Sequence, residues 1–123
     1  MRLHYVLLVE DDDDLRTLYS FALSNAGFKV KAVRNGLEAL TELQDLRPDV
    51  ILTDLAMPVV DGIELIHRIK YRTELSDIPV IAMTSFGETL QRHARLAGAD
   101  KAIEKPTKYR AVCDIVTSVL PEP

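Results

Sequence analysis

Short apolar runs alternate with amphipathic stretches along the whole chain. Residues 6–9, 50–54 and 80–84 are apolar almost throughout, which is typical of strands buried on both faces of a sheet. Residues 28–33 alternate apolar and polar side chains, so they indicate a strand nearer the sheet edge. A short fifth strand is predicted over residues 101–104.

The stretches between these runs repeat their apolar residues every three or four positions, as amphipathic helices do. Five helices are predicted. Asp13 or Asp14 caps the first, Asn35 and Gly36 open the second, and Pro106 begins the fifth. The predicted apolar positions are Leu15, Leu18, Tyr19, Ala22 and Ala26 in the first helix and Leu37, Leu40, Leu43 and Leu46 in the second. They are Ile63, Leu65, Ile66 and Ile69 in the third helix, and Ala111, Val112, Ile115, Val116 and Val119 in the fifth.

Five strands thus alternate strictly with five helices, the fourth of which is weakly apolar and spans residues 88–97. This order predicts an α/β fold with a five-stranded parallel sheet, doubly wound by helices on both faces through right-handed crossovers. No linker, internal repeat or low-complexity segment interrupts the pattern. We expect a single domain over residues 1–123, with no output domain attached.

Composition excludes several classes of protein. The chain has 123 residues and a formal net charge of −4, whereas a general nucleic-acid binder normally carries a basic excess. Its one cysteine, Cys113, cannot form an internal disulfide, and no zinc-spaced Cys/His cluster is present. Neither a signal peptide nor the roughly 20 apolar residues of a membrane span is visible. A cytoplasmic protein is expected.

The net acidity is concentrated at one place. Five of the 19 acidic residues are consecutive, at positions 10–14, and without them 15 basic residues face 14 acidic ones. Asp12 to Asp14 are expected in the first turn of the first helix, where negative charge favours the helix dipole. The first two acids of the run, Glu10 and Asp11, end the first strand instead.

Other polar groups follow the remaining strands. Asp54 ends the third strand, Thr84 the fourth, and Lys105 follows the fifth. Ligands of open parallel sheets bind beyond the carboxyl ends of the strands. We therefore expect these groups to meet Glu10 and Asp11 at one rim of the sheet.

Such a cluster predicts a cation and a phosphoryl group. Two carboxylates 4 Å apart repel by about 4 kcal/mol at an effective dielectric constant of 20, and Mg²⁺ relieves this with one or two carboxylates and several waters. The cation and the Lys105 ammonium match an anionic phosphoryl group, to which Thr84 offers a hydroxyl donor. An ionised Asp54 is the predicted nucleophile, forming an aspartyl phosphate.

With these residues the sequence resembles the receiver domain of two-component response regulators, the CheY-like family, over essentially its whole length. The segments that carry the resemblance are Val6-Leu7-Leu8-Val9-Glu10-Asp11, Leu52-Thr53-Asp54-Leu55-Ala56-Met57-Pro58, Asp61-Gly62, Met83-Thr84-Ser85, Ala97-Gly98-Ala99-Asp100 and Lys105-Pro106. The resemblance implies a signalling domain rather than a conventional enzyme, one that catalyses its own phosphorylation and dephosphorylation.

The resemblance also implies a role for each matching residue. Asp54 is similar to the phospho-accepting aspartate, and Glu10 and Asp11 to the acidic pair that holds Mg²⁺ with it. The backbone carbonyl of Ala56 corresponds to the third protein ligand of the ion. Thr84 corresponds to the hydroxyl that moves onto the phosphoryl group.

Lys105 corresponds to the lysine that pairs with the phosphoryl group, and the bond before Pro106 is expected to be cis, as is typical of the family. Met57-Pro58 and Asp61-Gly62 are expected to shape the loop rather than react.

Two positions depart from the family pattern. Ala102 stands where an aromatic switch residue is usual, and Thr107 where Phe is common. A weakened readout is therefore expected on the surface formed by the fourth helix, fifth strand and fifth helix.

By resemblance, the expected partners are a histidine kinase or histidine phosphotransfer protein upstream and an unknown protein target downstream, with no direct nucleic acid or membrane contact. The chain is expected to be a monomer or a phosphorylation-dependent dimer. It could equally be a phosphate-sink or shuttle receiver, or a module excised from a hybrid kinase. A degenerate receiver that only binds proteins is disfavoured, because the set of Glu10, Asp11, Asp54, Thr84 and Lys105 is intact.

Two more distant alternatives fit less well. A haloacid dehalogenase-type phosphatase also uses an aspartate nucleophile and Mg²⁺, but it needs a second aspartate two residues later, where this chain has Ala56. A flavodoxin-like electron carrier shares the predicted topology. It needs a Ser/Thr-rich phosphate loop after the first strand, where the five acids at 10–14 would repel a flavin phosphate.

Overall fold

The computed structural model describes residues 3–57 and 60–121. In these ranges five strands alternate with five helices, as the sequence predicts. The elements are β1 (Tyr5–Val9), α1 (Asp13–Asn25), β2 (Lys29–Val33), α2 (Gly36–Asp45), β3 (Val50–Asp54), α3 (Gly62–Tyr71), β4 (Val80–Thr84), α4 (Glu88–Ala97), β5 (Lys101–Glu104) and α5 (Ala111–Thr117).

All five strands form one parallel sheet in the order β2-β1-β3-β4-β5. The predicted α/β class is therefore confirmed. Each residue of β1, β3 and β4 is buried, whereas β2 and β5 form the edges and expose part of their side chains. The apolar runs thus occupy the centre of the sheet, and the alternating 28–33 segment contains its edge strand.

The helices cover both faces of the sheet and create two separate apolar cores. Side chains from α2, α3 and α4 pack on one face, and side chains from α1 and α5 pack on the other. Because each crossover returns the chain to the same end of the sheet, every strand ends at one rim. The loops after the strands are therefore the parts of the chain that can build a site.

Side-chain caps fix where three helices begin. Asp12, Asn35 and Asp61 each accept a hydrogen bond at 2.9 Å from the amide three residues later, which satisfies one of the free amides in the first turn. Gly98 ends α4 with a φ of +117°, a left-handed conformation that glycine adopts without steric cost.

Two predicted helix boundaries are wrong. Asp12, not Asp13 or Asp14, caps α1, because its side chain reaches the amide of Leu15. Helix α5 begins at Ala111 rather than at Pro106. Three consecutive amides from Ala111 onward bond to carbonyls three residues back, so the chain turns tightly there before the α-helical pattern is established.

The predicted apolar stripes are wrong at individual leucines. Leu18, Leu37 and Leu46 are 38%, 55% and 48% exposed. Helix α1 instead buries Leu23 completely, together with Tyr19, and Leu46 lies beyond the last turn of α2 in extended conformation. Spacing of three or four residues selects a face of the helix but does not fix which edge of that face meets the sheet.

Candidate functional site

The predicted site residues meet at the carboxyl-end rim of the sheet. Carboxylate oxygens of Glu10, Asp11 and Asp54 lie within 4.8 Å of one another. Glu10 is completely buried and Asp54 is 3% exposed, whereas Asp11 faces solvent. Two carboxylates are thus taken out of water by the sheet, and the third closes the cluster from the solvent side.

Lys105 supplies the cation of this cluster. Its Nζ lies 2.9 Å from Glu10 Oε1 and 3.4 Å from Asp54 Oδ1. The Lys105 amide also donates to the carbonyl of Thr84 at 2.9 Å, so backbone pairing next to β4 fixes the start of the lysine side chain. The backbone hydrogen bond to Thr84 and the side-chain contacts with Glu10 and Asp54 therefore hold the Lys105 ammonium beside the carboxylates.

Thr84 has a different set of contacts. It is buried, and its Oγ1 accepts a hydrogen bond from the Phe86 amide at 2.9 Å and donates to the Phe86 carbonyl at 3.5 Å. The hydroxyl is thus engaged within the β4–α4 loop. Phe86 itself is 64% exposed, so its ring does not fill the place of an aromatic residue at the buried Ala102.

The acidic loop after β1 is held by a residue that the sequence did not indicate. Arg16 Nη1 donates to the Glu10 carbonyl at 3.0 Å, and its Nη2 pairs with Asp13. The Asp12 amide donates to Glu10 Oε2 at 3.2 Å. An arginine one turn into α1 therefore fixes the backbone between Glu10 and Asp11, a role that emerges only from the three-dimensional path of the loop.

The loop after β3 is shaped by close backbone approach. The Ala56 amide donates to Asp54 Oδ1 at 3.3 Å, and the Gly62 amide donates to the Leu55 carbonyl at 3.0 Å. A Cβ atom at position 62 would lie 2.4 Å from the Asp54 carbonyl oxygen. Gly62 is therefore required by the contact that returns the loop to Asp54. Pro58 of this predicted loop lies outside the described residues.

One expectation drawn from the family resemblance is wrong. No peptide bond among residues 3–57 and 60–121 is cis, so the Lys105–Pro106 bond is trans. The trans form is the favoured state of a bond before proline, by about 0.5–1 kcal/mol.

The charges of the cluster are unbalanced. Burial, followed by the close carboxylates of Asp11 and Glu10, raises the pKa of Asp54 to about 8, against the opposing effect of the Lys105 ammonium. Burial by itself would lower the pKa of Lys105, but its contacts with Glu10 and Asp54 outweigh burial and raise it. One ammonium therefore does not compensate three carboxylates.

The donor set fits a hard divalent cation. Three carboxylates offer oxygen ligands, and the exposure of Asp11 leaves one side open to the waters that Mg²⁺ retains. The buried Glu10 Oε1 accepts no hydrogen bond of good geometry although Lys105 lies close to it. A cation would supply the positive charge that this cluster lacks.

Comparison with known proteins agrees with this geometry. Residues 6–117 match the response regulator receiver domain. The polar-differentiation response regulator DivK of Brucella anthropi is 34% identical over 116 residues, which cover 94% of each protein. The chain also matches transcriptional regulatory proteins that are 34–38% identical, and it spans about half their length.

Solved structures show the same fold. The chemotaxis response regulator CheY4 of Vibrio cholerae superimposes with a TM-score of 0.90 at 28% identity, covering 97% of this chain and 100% of that chain. The Mn²⁺-bound form of the response regulator Rcp1 gives a TM-score of 0.84 at 26% identity, covering 97% and 99%.

The chain belongs to the response regulator receiver family. Receiver domains are signalling domains of two-component systems, and phosphorylation and Mg²⁺ binding are general to them. Glu10, Asp11 and Asp54 are the described residues that could hold such an ion. Within the same described ranges, no helix has both the length and the apolar character of a membrane span.

Proposed function

We propose that Asp54 is the phosphoryl acceptor of this receiver domain and that the donor is a histidine kinase or a histidine phosphotransfer protein. One observation carries the proposal: the Asp54 carboxylate lies within 4.8 Å of two further carboxylates and 3.4 Å from the Lys105 ammonium. Only a carboxylate with nearby cations can approach a phosphoryl group without strong repulsion.

The transfer itself is a single displacement at phosphorus. A carboxylate oxygen of Asp54 forms the new P–O bond while the P–N bond of the donor phosphohistidine breaks. The electron pair of that bond returns to the imidazole nitrogen, and the product is an aspartyl phosphate. The Ala56 amide, 3.3 Å from Asp54 Oδ1, helps to orient the attacking carboxylate.

We assign Mg²⁺ as the cofactor, held by Glu10, Asp11, Asp54 and the backbone carbonyl of Ala56. Bound there, it would neutralise charge on the carboxylates and on the phosphoryl oxygens. Rcp1, a structural relative, has been solved in an Mn²⁺-bound form, which supports a divalent ion in this fold.

We propose that Thr84 and Lys105 bind the phosphoryl group and couple it to a conformational change. The hydroxyl of Thr84 would leave Phe86 and donate to a phosphoryl oxygen, while Lys105 pairs with another. Each hydrogen bond to a charged group contributes about 1.5–3 kcal/mol. Together they approach the roughly 5.5 kcal/mol that moves a two-state equilibrium from 1:99 to 99:1, so the group could switch a protein-interaction surface.

We further propose that residues 1–123 act as one receiver domain in the cytoplasm, as a monomer or a phosphorylation-dependent dimer. The chain covers 94% of DivK, which supports a stand-alone receiver. It covers about half of the transcriptional regulators, which supports a receiver that is one module of a larger protein. A phosphate-sink or shuttle receiver and a module excised from a hybrid kinase both fit the same site. Nucleic acid and membrane are not proposed as direct partners.

Intact mass measurement tests the acceptor. Protein incubated with Mg²⁺ and acetyl phosphate should gain the mass of one phosphoryl group, and Asp54→Asn should gain none. Asp14→Asn is the matched control, because Asp14 is an exposed acid of the same acidic run, and it should be labelled like the wild type. Labelling that persists in Asp54→Asn would disprove the assignment. Transfer from a phosphorylated histidine kinase, measured in the same way, tests the proposed donor.

A further inference from the structure

Arg16 is a largely buried cation at the end of a helix that favours anions. It is the fourth residue of α1, and its side chain is 19% exposed. The partial positive charge at a helix N-terminus disfavours a basic residue in the first turn. The helix dipole therefore does not account for an arginine at this position, and the contacts of its guanidinium must be considered for themselves.

The guanidinium holds the backbone at the point where the sheet ladder ends. The Glu10 amide still donates to the carbonyl of Val33, the last residue of β2, at 3.1 Å. The Glu10 carbonyl instead accepts a hydrogen bond from Arg16 Nη1 at 3.0 Å. The Asp13 carboxylate pairs with Nη2 and so orients the guanidinium. Arg16 thus fixes the peptide unit that joins Glu10 to Asp11.

This peptide unit matters most for the placement of Asp11. The other two carboxylates of the cluster are buried and are held by backbone amides, since Asp12 donates to Glu10 at 3.2 Å and Ala56 donates to Asp54 at 3.3 Å. Asp11 belongs to the same cluster but is exposed. The position of its carboxylate relative to the buried pair therefore depends on the backbone that carries it.

We propose that Arg16 is a positioning residue that raises the preference of the acidic cluster for Mg²⁺ over Ca²⁺. This inference rests on the proposed function, in which Glu10, Asp11 and Asp54 hold Mg²⁺. Mg²⁺ demands nearly ideal octahedral geometry at about 2.0–2.1 Å, whereas Ca²⁺ accepts flexible sets of six to eight oxygens at about 2.3–2.6 Å. A backbone fixed by the guanidinium keeps Asp11 in one place, as the smaller ion requires, whereas a loosened backbone still suits the larger ion.

Two simpler roles for Arg16 predict different results. If the guanidinium acted only through its charge, removing it would strengthen the binding of both divalent cations, because like charges repel. If Arg16 only stabilised α1 through its pair with Asp13, removing it would lower the stability of the protein and leave both ion affinities unchanged. The positioning role instead predicts weaker binding of Mg²⁺ and a smaller effect on Ca²⁺.

Amide-shift titrations of the metal-free protein with MgCl₂ and with CaCl₂ measure the two dissociation constants. In Arg16→Gln the constant for Mg²⁺ should rise about 10- to 100-fold, as is usual when a contact that orients a metal ligand is lost, and the constant for Ca²⁺ should rise less. Arg34→Gln is the matched control, since Arg34 follows β2 at the same rim but pairs with Glu38 on the surface. It should leave both constants near their wild-type values.

The same titrations can overturn the inference. A constant for Mg²⁺ that is unchanged or lower in Arg16→Gln does so, and so does an equal rise for both ions. A wild type that binds no Mg²⁺ overturns the proposed cofactor together with the inference, so the two failures can be told apart.

A second pair of variants decides the question if Arg16→Gln fails to fold. Asp13→Ala and Asp14→Ala each remove one exposed acid from the first turn of α1, so both reduce the negative charge near the site. Only Asp13→Ala also releases the guanidinium from the carboxylate that orients it. The ratio of the Mg²⁺ constant to the Ca²⁺ constant should therefore be higher in Asp13→Ala than in Asp14→Ala. Equal ratios in the two variants overturn the inference.

Discussion

Lys105 and Glu10 form a buried ion pair, with Nζ 2.9 Å from Oε1. The lysine side chain is 13% exposed and the glutamate is fully buried. Removing one member of a buried pair leaves the other as an uncompensated charge in a medium that solvates it poorly. The lysine is therefore as much a structural counter-ion of the acidic cluster as a proposed ligand of the phosphoryl group.

We expect Lys105→Met to lower the free energy of unfolding by about 3–5 kcal/mol in EDTA, the cost of breaking a buried ion pair. Added Mg²⁺ should restore part of this loss, because a cation can replace the ammonium among the carboxylates. Urea denaturation with and without Mg²⁺ measures both effects. Lys108→Met is the control, since Lys108 is exposed, and it should change stability little. Equal losses in the two variants would contradict the structural role of Lys105.

The raised pKa of Asp54 predicts an unusual dependence of stability on pH. The carboxyl titrates at about 8 in the folded protein and at its ordinary 3.8 when unfolded, so the folded state binds the proton more tightly. Its contribution to stability is complete below pH 3.8 and is lost as the pH rises through about 8. In EDTA, the free energy of unfolding should therefore fall between pH 5 and 8.

Two comparisons assign this pH dependence to Asp54. Asp54→Asn should remove most of it, because the amide does not titrate, and saturating Mg²⁺ should suppress it in the wild type by favouring the ionised carboxylate. Urea denaturation midpoints at several pH values provide the measurement. A wild type whose stability in EDTA rises steadily from pH 5 to 8 would show that the Asp54 carboxyl is already ionised there.

Gly62 should be intolerant of even the smallest side chain. The Cβ of Gly62→Ala would lie 2.4 Å from the Asp54 carbonyl oxygen and 2.6 Å from Leu55 Cα, so the backbone beside the acceptor must shift. Overpacking of this kind costs about 1–3 kcal/mol, and the displaced carboxylate should also be labelled more slowly by acetyl phosphate. Ser24→Ala, which also introduces alanine but at an exposed position of α1, is the control. Unchanged labelling in Gly62→Ala would show that the loop yields without moving Asp54.

The sequence predicted the topology because it depends on periodicity and order. Continuous apolar runs occupy the central strands, the alternating run contains an edge strand, and the strict order of elements allows one parallel sheet. The convergence of Glu10, Asp11, Asp54 and Lys105 followed from the same reasoning, since parallel strands end at one rim.

What the sequence missed depends on exact three-dimensional approach. Arg16 bonds to a carbonyl of the acidic loop, and Gly62 leaves room for the Asp54 carbonyl oxygen. Neither contact has a spacing rule that could reveal it. For a related reason, the apolar spacing does not indicate that Leu23 is buried and wrongly predicts that Leu18 is. A rotation of α1 about its own axis by a few tens of degrees decides which of the two side chains meets the sheet.

Thr84 provides a test that separates phosphorylation from its readout. Its hydroxyl bonds to the Phe86 amide and carbonyl, and the proposed switch requires it to leave them for the phosphoryl group. Thr84→Val keeps the volume but removes the hydroxyl. Since Asp54 and the acidic pair are untouched, we expect the variant still to gain phosphoryl mass, while the amide shifts of residues 85–97 respond much less to Mg²⁺ and beryllofluoride than in the wild type.

The control for this measurement is Thr89→Val, which makes the same exchange at an exposed position in the first turn of α4. It should respond to beryllofluoride like the wild type. If Thr84→Val responds across residues 85–97 as fully as this control, the signal reaches α4 without the Thr84 hydroxyl. Ala102 has no large side chain that could couple to the motion of Thr84. We therefore expect the amide shifts of β5 and of the start of α5 to respond only weakly to beryllofluoride, even in the wild type.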